Sequence, residues 1–185
     1  SPIGKRGRAL KNTRAVLSLF LVAFIWGSGF IMTQMALDAG YTWSFTLFFR
    51  FLIAPLLFGG LFAKKIRGIG RADLKGGLIS GGLLFLSFTF QTLGLQYTTP
   101  SNNAFFTATN TVIVPFLVWI FFKSRPELKT FLAGFVCFLG VFVISYNPEK
   151  LSFWGLGELL SLLGAVAFAA HTVSLGYFSR KTTTE

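Results

Sequence analysis

The sequence predicts an all-α protein, a multi-pass transmembrane helical bundle with six spans. Hydrophobic residues make up 53% of the 185 residues and charged residues only 12%, whereas a soluble domain carries about 25% charged residues. The charges are also clustered, which leaves long apolar windows between them. Since a helix needs roughly 20 apolar residues to cross the hydrocarbon core of a bilayer, these windows indicate membrane-spanning helices and a lipid bilayer as the surroundings.

The charge-free windows define the spans. They cover residues 15–37, 43–63 (with Arg50 inside), 76–122, 130–147 and 159–179. The window 76–122 is too long for one crossing, and its segment 97-YTTPSNN-103 carries a proline and paired asparagines that predict a turn. The first window exceeds the 7–15 apolar residues of a signal peptide core, so it counts as a span. The six predicted spans are about 15–37, 43–63, 75–96, 102–122, 129–146 and 156–178.

The basic residues predict the orientation. Fifteen Lys and Arg lie before span 1, between spans 2 and 3, between spans 4 and 5, and after span 6, whereas the loops on the other side hold only Lys150. By the positive-inside rule both the N-terminus and the C-terminus are cytoplasmic. This asymmetry accounts for nearly all of the net charge of +11, so no nucleic-acid partner is expected. We expect a cell membrane protein of the bacterial inner membrane.

A short internal repeat suggests an inverted architecture. Val22, Ala23 and Phe24 in span 1 recur as 166-VAF-168 in span 6, at an offset of 144 residues that contains an odd number of spans. A second copy would therefore enter the membrane upside down, as in the inverted repeats of many secondary transporters. The single cysteine, Cys137, lies in an apolar run. It lacks companions for a disulfide or a metal site, and no cofactor or metal is predicted.

Several segments resemble the EamA-type transporters of the drug/metabolite transporter superfamily. They are IWGSGF in span 1, FFRFLIAP in span 2, the block from GLQYTTPSNN to LGVFVIS, and GELLSLLGAVAFAAHTVSLGYFSR. The resemblance implies ten helices, built as two five-helix repeats around a central substrate cavity. It assigns 1–14 to a basic cytoplasmic segment, 15–147 to the first repeat, and 148–185 to a loop and the first helix of a truncated second repeat. The other half is then expected from a second chain or from a missing C-terminal half.

Arg50 has two interpretations from the sequence. It lies seven residues after Trp43, so about 10 Å from the outer end of span 2 at 1.5 Å per residue. Its side chain either extends outward to the lipid headgroups or faces the bundle interior. In the interior, carbonyls or hydroxyls would hold it, and it would attract an anionic group or tie helices together.

Two polar stripes offer candidates for a solute cavity. Asn103, Thr107 and Asn110 share one face of span 4, and Ser80, Ser87 and Gln91 share one face of span 3. They either line a cavity or form hydrogen bonds between helices. Pro115 is expected to kink span 4 because it cannot donate to the carbonyl of residue 111.

Small residues and isolated polar groups in spans 1, 3 and 6 are candidates either for contacts between helices or for the solute cavity. Trp26 stands beside small residues in WGSG, where the resemblance places the cavity. The pairs Gly77/Gly81 and Ala165/Ala169 are spaced for close helix packing. The single histidine, His171, either takes part in proton transfer or forms a neutral interhelical hydrogen bond. Glu158 lies 13 residues before it, on another face of the same helix.

The sequence therefore predicts a transporter, or half of one, that exports small polar metabolites or amino-acid-like solutes, and not an enzyme. The predicted substrate-binding residues are Trp26, Arg50, Gln91, Asn103, Thr107, Asn110 and His171. No carboxylate lies in the middle of a span, so proton antiport of the small multidrug antiporter design is not expected. The alternatives are a non-transporting membrane subunit and a rhomboid-like protease based on Ser28 and His171.

Overall fold

A computed structural model describes residues 2–66, 68–123, 125–145 and 155–182, without the side chains of 2–14, 64–66, 144–145 and 181–182. Within these ranges the chain is entirely helical apart from short connections, which confirms the predicted fold class. The helices are α1 Pro2–Asp38, α2 Trp43–Ile66, α3 Arg71–Leu95, α4 Pro100–Ala108, α5 Asn110–Phe122, α6 Leu128–Ser145 and α7 Leu156–Thr182. The predicted repeat boundary at 147–148 and Lys150 lie outside the described residues.

Five helices of the described part are long and apolar enough to cross a membrane. They are Ala15–Asp38, Trp43–Ala63, Arg71–Leu95, the pair α4–α5 taken together as Pro100–Phe122, and Leu156–Arg180. The predicted span 129–146 corresponds to α6, whose described apolar part, Leu128–Val143, is shorter. The predicted basic segment 1–14 is helical from Pro2 onward and continuous with the first span.

The fourth span is interrupted at a different residue from the one predicted. Thr99 caps α4 by accepting a hydrogen bond from the backbone N–H of Asn102 at 3.3 Å, and Pro100 follows as the first helical residue. At Thr109 the helix tightens for one turn while its backbone stays helical: the backbone N–H of Thr109 and its hydroxyl both donate to the Phe106 carbonyl, at 3.3 and 2.6 Å. We call this irregular turn the break between α4 and α5. Such side-chain bonds to the preceding turn compete with regular helix geometry. The predicted source of a kink, Pro115, instead lies inside α5.

Close contact between α3 and α7 forms the centre of the bundle, and glycines make it possible. A Cβ atom on Gly94 would lie 2.9 Å from the Gly157 carbonyl oxygen, and one on Gly164 would lie 3.2 Å from the Ser87 carbonyl oxygen. Of the predicted small-residue pairs, Ala165 and Ala169 are fully buried. Gly77 and Gly81 have open space where a Cβ would be, so the prediction that they pack against a helix was wrong.

The outer surface of the bundle is apolar, as a lipid-facing surface must be. Phe20 and Phe24 on α1 are 71% and 76% exposed, and Leu61 on α2 is 77% exposed. Helix α1 touches α2 and α4, which brings its middle turns to the polar face of α4. We refer to the end of the bundle where α2 ends and α3 begins as the basic end, and to the end with the α3–α4 turn as the opposite end.

Candidate functional site

A small cavity of about 110 Å³ lies where α1, α2, α3 and α7 meet the break between α4 and α5. Five of the seven predicted binding residues line it: Trp26, Arg50, Gln91, Thr107 and Asn110. Its remaining walls are aromatic or small, and they come from Phe30, Phe88, Ala104, Ala108 and Phe168. The cavity therefore combines one cation, two amides and one hydroxyl with four aromatic rings.

Arg50 faces this cavity and is half-buried. Its guanidinium carbon lies 3.7 Å from the centroid of the Phe88 ring, and a Cβ atom on Gly29 would lie 3.5 Å from its Nη2 nitrogen. Of the two alternatives, the cavity position corresponds to the interior one, but an aromatic face supports the charge in place of carbonyls or hydroxyls, a contact worth about 0.5–2 kcal/mol. Within the described ranges no carboxylate and no hydrogen-bond acceptor contacts the guanidinium, so its donors are free for a ligand in the cavity.

Aromatic side chains hold the cavity walls together. The rings of Trp26 on α1 and Phe168 on α7 meet edge to face, with centroids 5.0 Å apart at 80°. Phe51 on α2 contacts Phe88 on α3 at a centroid distance of 5.9 Å. Edge-to-face pairs are favourable beyond the area they bury. The Trp26–Phe168 contact thus joins the cavity wall from α1 to the wall from α7.

The polar wall is formed by Gln91 and the α4–α5 segment. Gln91 and Thr107 are each 9% exposed, and the Gln91 Nε2 donates to Thr107 Oγ1 at 3.4 Å. This weak bond leaves both groups able to contact a ligand. Asn110 begins α5 directly after the break and lines the same cavity. The polar wall therefore comes from α3 and from the α4–α5 segment.

Asn103 does not line the cavity, although it shares a helix face with Thr107. It is fully buried, and its Nδ2 donates to the Gln91 carbonyl at 3.0 Å and to Ser161 Oγ at 2.9 Å. Its Oδ1 has no partner in the described part of the chain. The two alternatives for this stripe therefore apply to different residues. Thr107 and Asn110 face the cavity, whereas Asn103 joins α4 to α3 and α7 through hydrogen bonds.

The serines of the second stripe also bond between helices. Ser80 Oγ lies 2.9 Å from Ser174 Oγ, and Ser87 Oγ donates to the Gly164 carbonyl at 2.8 Å. Only Gln91 of that stripe reaches the cavity. The interhelical alternative is the one that the contacts support for both serines.

His171 likewise lies outside the cavity, nearer the basic end. Its Nδ1 is 2.7 Å from the backbone carbonyl oxygen of Ser80, and since a carbonyl oxygen only accepts, Nδ1 is the donor. Its ring lies 5.7 Å from that of Phe168. The geometry matches the expected interhelical hydrogen bond between α7 and α3.

A larger cavity of about 530 Å³ lies between α3, α5 and α7. Its walls are almost entirely apolar, and they include Leu83, Leu117 and Val173. None of the predicted binding residues lines it. Because specific recognition of a polar solute needs placed polar groups, the smaller cavity at Arg50 is the candidate site.

Comparison with known proteins identifies the family of this chain. The sequence profile of the EamA-like transporter family matches residues 13–146. The chain belongs to the EamA-like transporter family. The match covers the predicted first repeat and includes all the cavity residues except Phe168.

Two archaeal relatives extend the similarity of this EamA-like chain beyond the matched region. Two proteins of Archaeoglobus fulgidus, each called an uncharacterized transporter, are 34% identical over 92% of this chain and 28% identical over 88% of it. The chain covers 52% and 57% of their lengths, so it spans about half of the curated relatives it matches. No solved structure matches the chain significantly.

The two residues of the protease alternative are not paired in this EamA-like chain. Ser28 Oγ donates to the Ile25 carbonyl one turn earlier in α1 at 2.8 Å. The Nδ1 of His171 bonds Ser80 on α3 instead. A serine nucleophile requires a base within hydrogen-bond reach, and these contacts direct the two side chains elsewhere.

Sequence reasoning missed the aromatic walls and one buried acid. Phe88 lies one turn before Gln91, so a search for neighbours on the same helix face would have found it. Phe30 stands one turn after Trp26. Glu158 was placed at a helix end and given no role, yet it is only 3% exposed. Because the sequence contains 24 phenylalanines, their number and spacing did not indicate which of them line a cavity.

Proposed function

We propose that this chain forms the first half of a membrane transporter that exports small, amino-acid-like solutes carrying an anionic group. The observation that carries the proposal is the position of Arg50, a cation that lines a cavity within the bundle and that contacts no carboxylate among the described residues. Charged residues inside membrane bundles are costly, and they mark solute pathways. Membership of the EamA-like family supports transport as the activity.

The cavity chemistry supports this choice of solute. A guanidinium binds a carboxylate through two parallel N–H···O bonds, which lysine cannot do. Gln91, Thr107 and Asn110 supply both donors and acceptors for a second polar group. The rings of Trp26 and Phe168 offer apolar surface for the remainder of the solute. A cavity of about 110 Å³ accepts only a small molecule.

The direction of transport is proposed from the charges. With the basic end in the cytoplasm, the membrane potential is negative on the side of that end. Moving one negative charge outward then releases about 2.3 kcal/mol per 100 mV. Export of an anionic solute would thus be favoured without further energy input.

A second five-helix repeat is part of the proposal. The first repeat supplies one side of a central cavity in an inverted-repeat transporter, and this chain covers only 52% and 57% of the lengths of its two relatives. We propose that the rest of a longer polypeptide, or a second chain, closes the cavity on its open side. Trp26, which lines the cavity and is 51% exposed, is a residue that such a repeat would cover.

Counterflow in reconstituted vesicles tests the proposal. Vesicles carrying the protein together with its complementing half are loaded with each member of a panel of anionic, zwitterionic and cationic solutes. Uptake of the labelled solute is then measured for the parent, Arg50→Ala and Arg125→Ala. Arg125 is the matched control, because it is exposed at the basic end and far from the cavity.

We expect anion counterflow in the parent and in Arg125→Ala, and its loss in Arg50→Ala despite normal insertion. Counterflow by Arg50→Ala equal to the parent would contradict a binding role for the guanidinium. A parent that exchanges no solute of the panel would favour the non-transporting subunit.

A further inference from the structure

An apolar groove lies at the basic end of the bundle, outside the solute cavity. It is the cavity of about 530 Å³ between α3, α5 and α7, and we call it the lateral groove. Phe121, Phe122 and Tyr177 line it, yet they are 70%, 43% and 38% exposed. The described residues therefore leave the groove open to the surroundings of the bundle.

The lateral groove runs inward from the basic end along the helix axes. On α7 its wall extends from Phe178 back to Ala170, which is about 12 Å at 1.5 Å per residue. On α5 the wall extends from Phe122 back to Leu117, and Leu83 forms the wall from α3. The acyl chains of a bilayer run in the same direction as membrane-spanning helices. The shape of the groove therefore suits a hydrocarbon chain that enters from the surrounding lipid.

Aromatic rings form the rim of the groove at the basic end. Phe122 on α5 and Tyr177 on α7 meet at a centroid distance of 5.5 Å, and Tyr177 also contacts Phe178 at 5.2 Å. A Cβ atom on Gly76 would lie 2.8 Å from the Phe178 ring, so the start of α3 packs closely against α7 there. Tyrosine rings are common at the level of the lipid headgroups, because one end is apolar and the other polar. The rim therefore has the chemistry of a membrane–water interface.

Three cationic residues lie next to this rim. Lys123 directly follows the last residue of α5, and Lys75 directly precedes the glycine of α3 that packs against α7. Arg180 shares one face of α7 with the lining residues Val173 and Tyr177. All three cationic side chains are exposed. Positive charge is therefore present where the headgroup of a lipid in the groove would lie.

Cationic side chains outnumber acidic ones at the basic end of the described chain. The six cationic residues are Arg71, Lys75, Lys123, Arg125, Lys129 and Arg180, and the two acidic residues are Asp73 and Glu127. Asp73 accepts from the backbone N–H of Gly70 at the start of its own helix, at 3.0 Å. Glu127 precedes α6, whose described residues do not line the groove. The rim is therefore complementary to a headgroup with a net negative charge.

We propose that the lateral groove binds an anionic phospholipid. One acyl chain lies between α3, α5 and α7, and the phosphate lies among Lys75, Lys123 and Arg180. Basic pockets between membrane helices on the cytoplasmic side bind such headgroups, and the basic end faces the cytoplasm in the predicted orientation. The proposal is independent of the transported solute, because none of the predicted solute-binding residues lines the groove.

The bound lipid stabilises helices that also form the solute cavity. Helix α3 contributes Phe88 and Gln91 to that cavity, α5 contributes Asn110, and α7 contributes Phe168. A ligand that binds only the folded protein shifts the equilibrium toward it. The lipid therefore acts as a structural ligand that holds three helices together, and it is not itself transported.

Photocross-linking identifies the occupant of the groove in a membrane. Benzoylphenylalanine is placed at Leu117 in the groove, or at Val136 on the exposed surface of α6 as the control. The protein and its complementing half are reconstituted in phosphatidylethanolamine with a minor share of phosphatidylglycerol, and the adducts are identified by mass spectrometry. We expect phosphatidylglycerol adducts at Leu117 well above the share of that lipid in the vesicle, and adducts in proportion to its share at Val136.

Two results of the cross-linking would overturn the proposal. Lipid adducts at Leu117 in proportion to the vesicle composition would show ordinary contact with the bilayer. Adducts to polypeptide would show that a second repeat or a second copy of the chain occupies the groove.

Native mass spectrometry with phosphatidylglycerol measures the contribution of the cations. The double variant Lys123→Gln/Arg180→Gln removes two charges next to the rim. The double variant Arg125→Gln/Lys129→Gln removes the same charge at the same end, away from the groove. All four side chains are exposed, so neither double variant disturbs the core. Affinity should fall about fivefold for each rim cation removed and stay at the parent level in the control. Equal losses in both double variants would indicate diffuse attraction to the basic end and refute a site.

Competition with the headgroup alone tests the contribution of the acyl chain. Glycerophosphoglycerol has the headgroup of phosphatidylglycerol but no acyl chains. We expect it to leave lipid binding unchanged at concentrations where unlabelled phosphatidylglycerol displaces an isotope-labelled one, because the apolar groove supplies much of the affinity. Displacement by the headgroup as effective as that by the intact lipid would refute binding in the groove.

Discussion

The guanidinium of Arg50 lies over the ring of Phe88, with its central carbon 3.7 Å from the ring centroid. The contact joins α2 to α3 and leaves the edge of the guanidinium open to the cavity. It explains how the bundle holds a cation without a carboxylate partner, because the ring face attracts the charge while forming no hydrogen bond that a ligand must displace.

Replacement of Phe88 by leucine should weaken solute binding. The loss of about 1 kcal/mol of cation–π attraction, together with a freer Arg50 side chain, should raise KM roughly fivefold. Steady-state counterflow with increasing solute concentration measures this value. Phe48→Leu removes a ring from the lipid-facing surface and should leave KM unchanged. An equal KM in Phe88→Leu and the parent would show that Phe88 does not position Arg50.

The two asparagines of the α4–α5 segment should respond differently to replacement by alanine. Asn103→Ala leaves the buried Gln91 carbonyl without its side-chain donor, so it should lower stability by about 1–3 kcal/mol. Asn110→Ala should reduce solute affinity with little change in stability, because Asn110 lines the cavity. Thermal unfolding in detergent and counterflow, measured on both variants, check the contrast. If Asn103→Ala kept its stability but bound solute more weakly, Asn103 would be a solute-binding residue and not a structural one.

The turn between α3 and α4 should not tolerate a larger residue on α7. A Cβ atom on Gly157 would lie 2.8 Å from the Tyr97 carbonyl carbon and from Thr98 Cβ, so the backbone must shift. Gly157→Ala should therefore destabilise the protein by about 1–3 kcal/mol. Gly77→Ala, where space is open, serves as the control and should be neutral in thermal unfolding. An equal melting temperature for both variants would show that the contact is loose.

The orientation predicts which positions a membrane-impermeant thiol reagent labels in intact cells. In a Cys137→Ser background, a cysteine at Tyr41 in the α1–α2 turn should react at once. A cysteine at Arg125 between α5 and α6 should react only after permeabilisation, because basic connections stay in the cytoplasm. Labelling of the Arg125 position in intact cells would reverse the proposed topology, and with it the direction of export.

Much of the fold is already evident in the sequence, because the lipid environment strongly restricts which backbone structures can cross a membrane. Every backbone polar group within the hydrocarbon must be paired inside its own helix, so apolar windows such as 15–37 appear in the structure as helices with boundaries close to those predicted. The turn at 97-YTTPSNN-103 was equally visible, since proline and asparagine have local preferences. The irregular turn at Thr109 was not, because Thr33, Thr89 and Thr172 make similar side-chain bonds to the preceding turn inside regular helices, so a threonine by itself does not mark such a turn.

The sequence alone determined that the chain is a multi-pass helical membrane protein, and it predicted that fifteen basic residues lie on one side and that Arg50 lies within a span. Only the tertiary structure decided which polar residues share a cavity. Helical periodicity places Asn103 and Thr107 on one face, but neighbouring helices cover that face unevenly, so Asn103 is enclosed by α3 and α7 while Thr107 meets open space. The burial of Glu158 has the same cause, since exposure at a helix end depends on what packs over it.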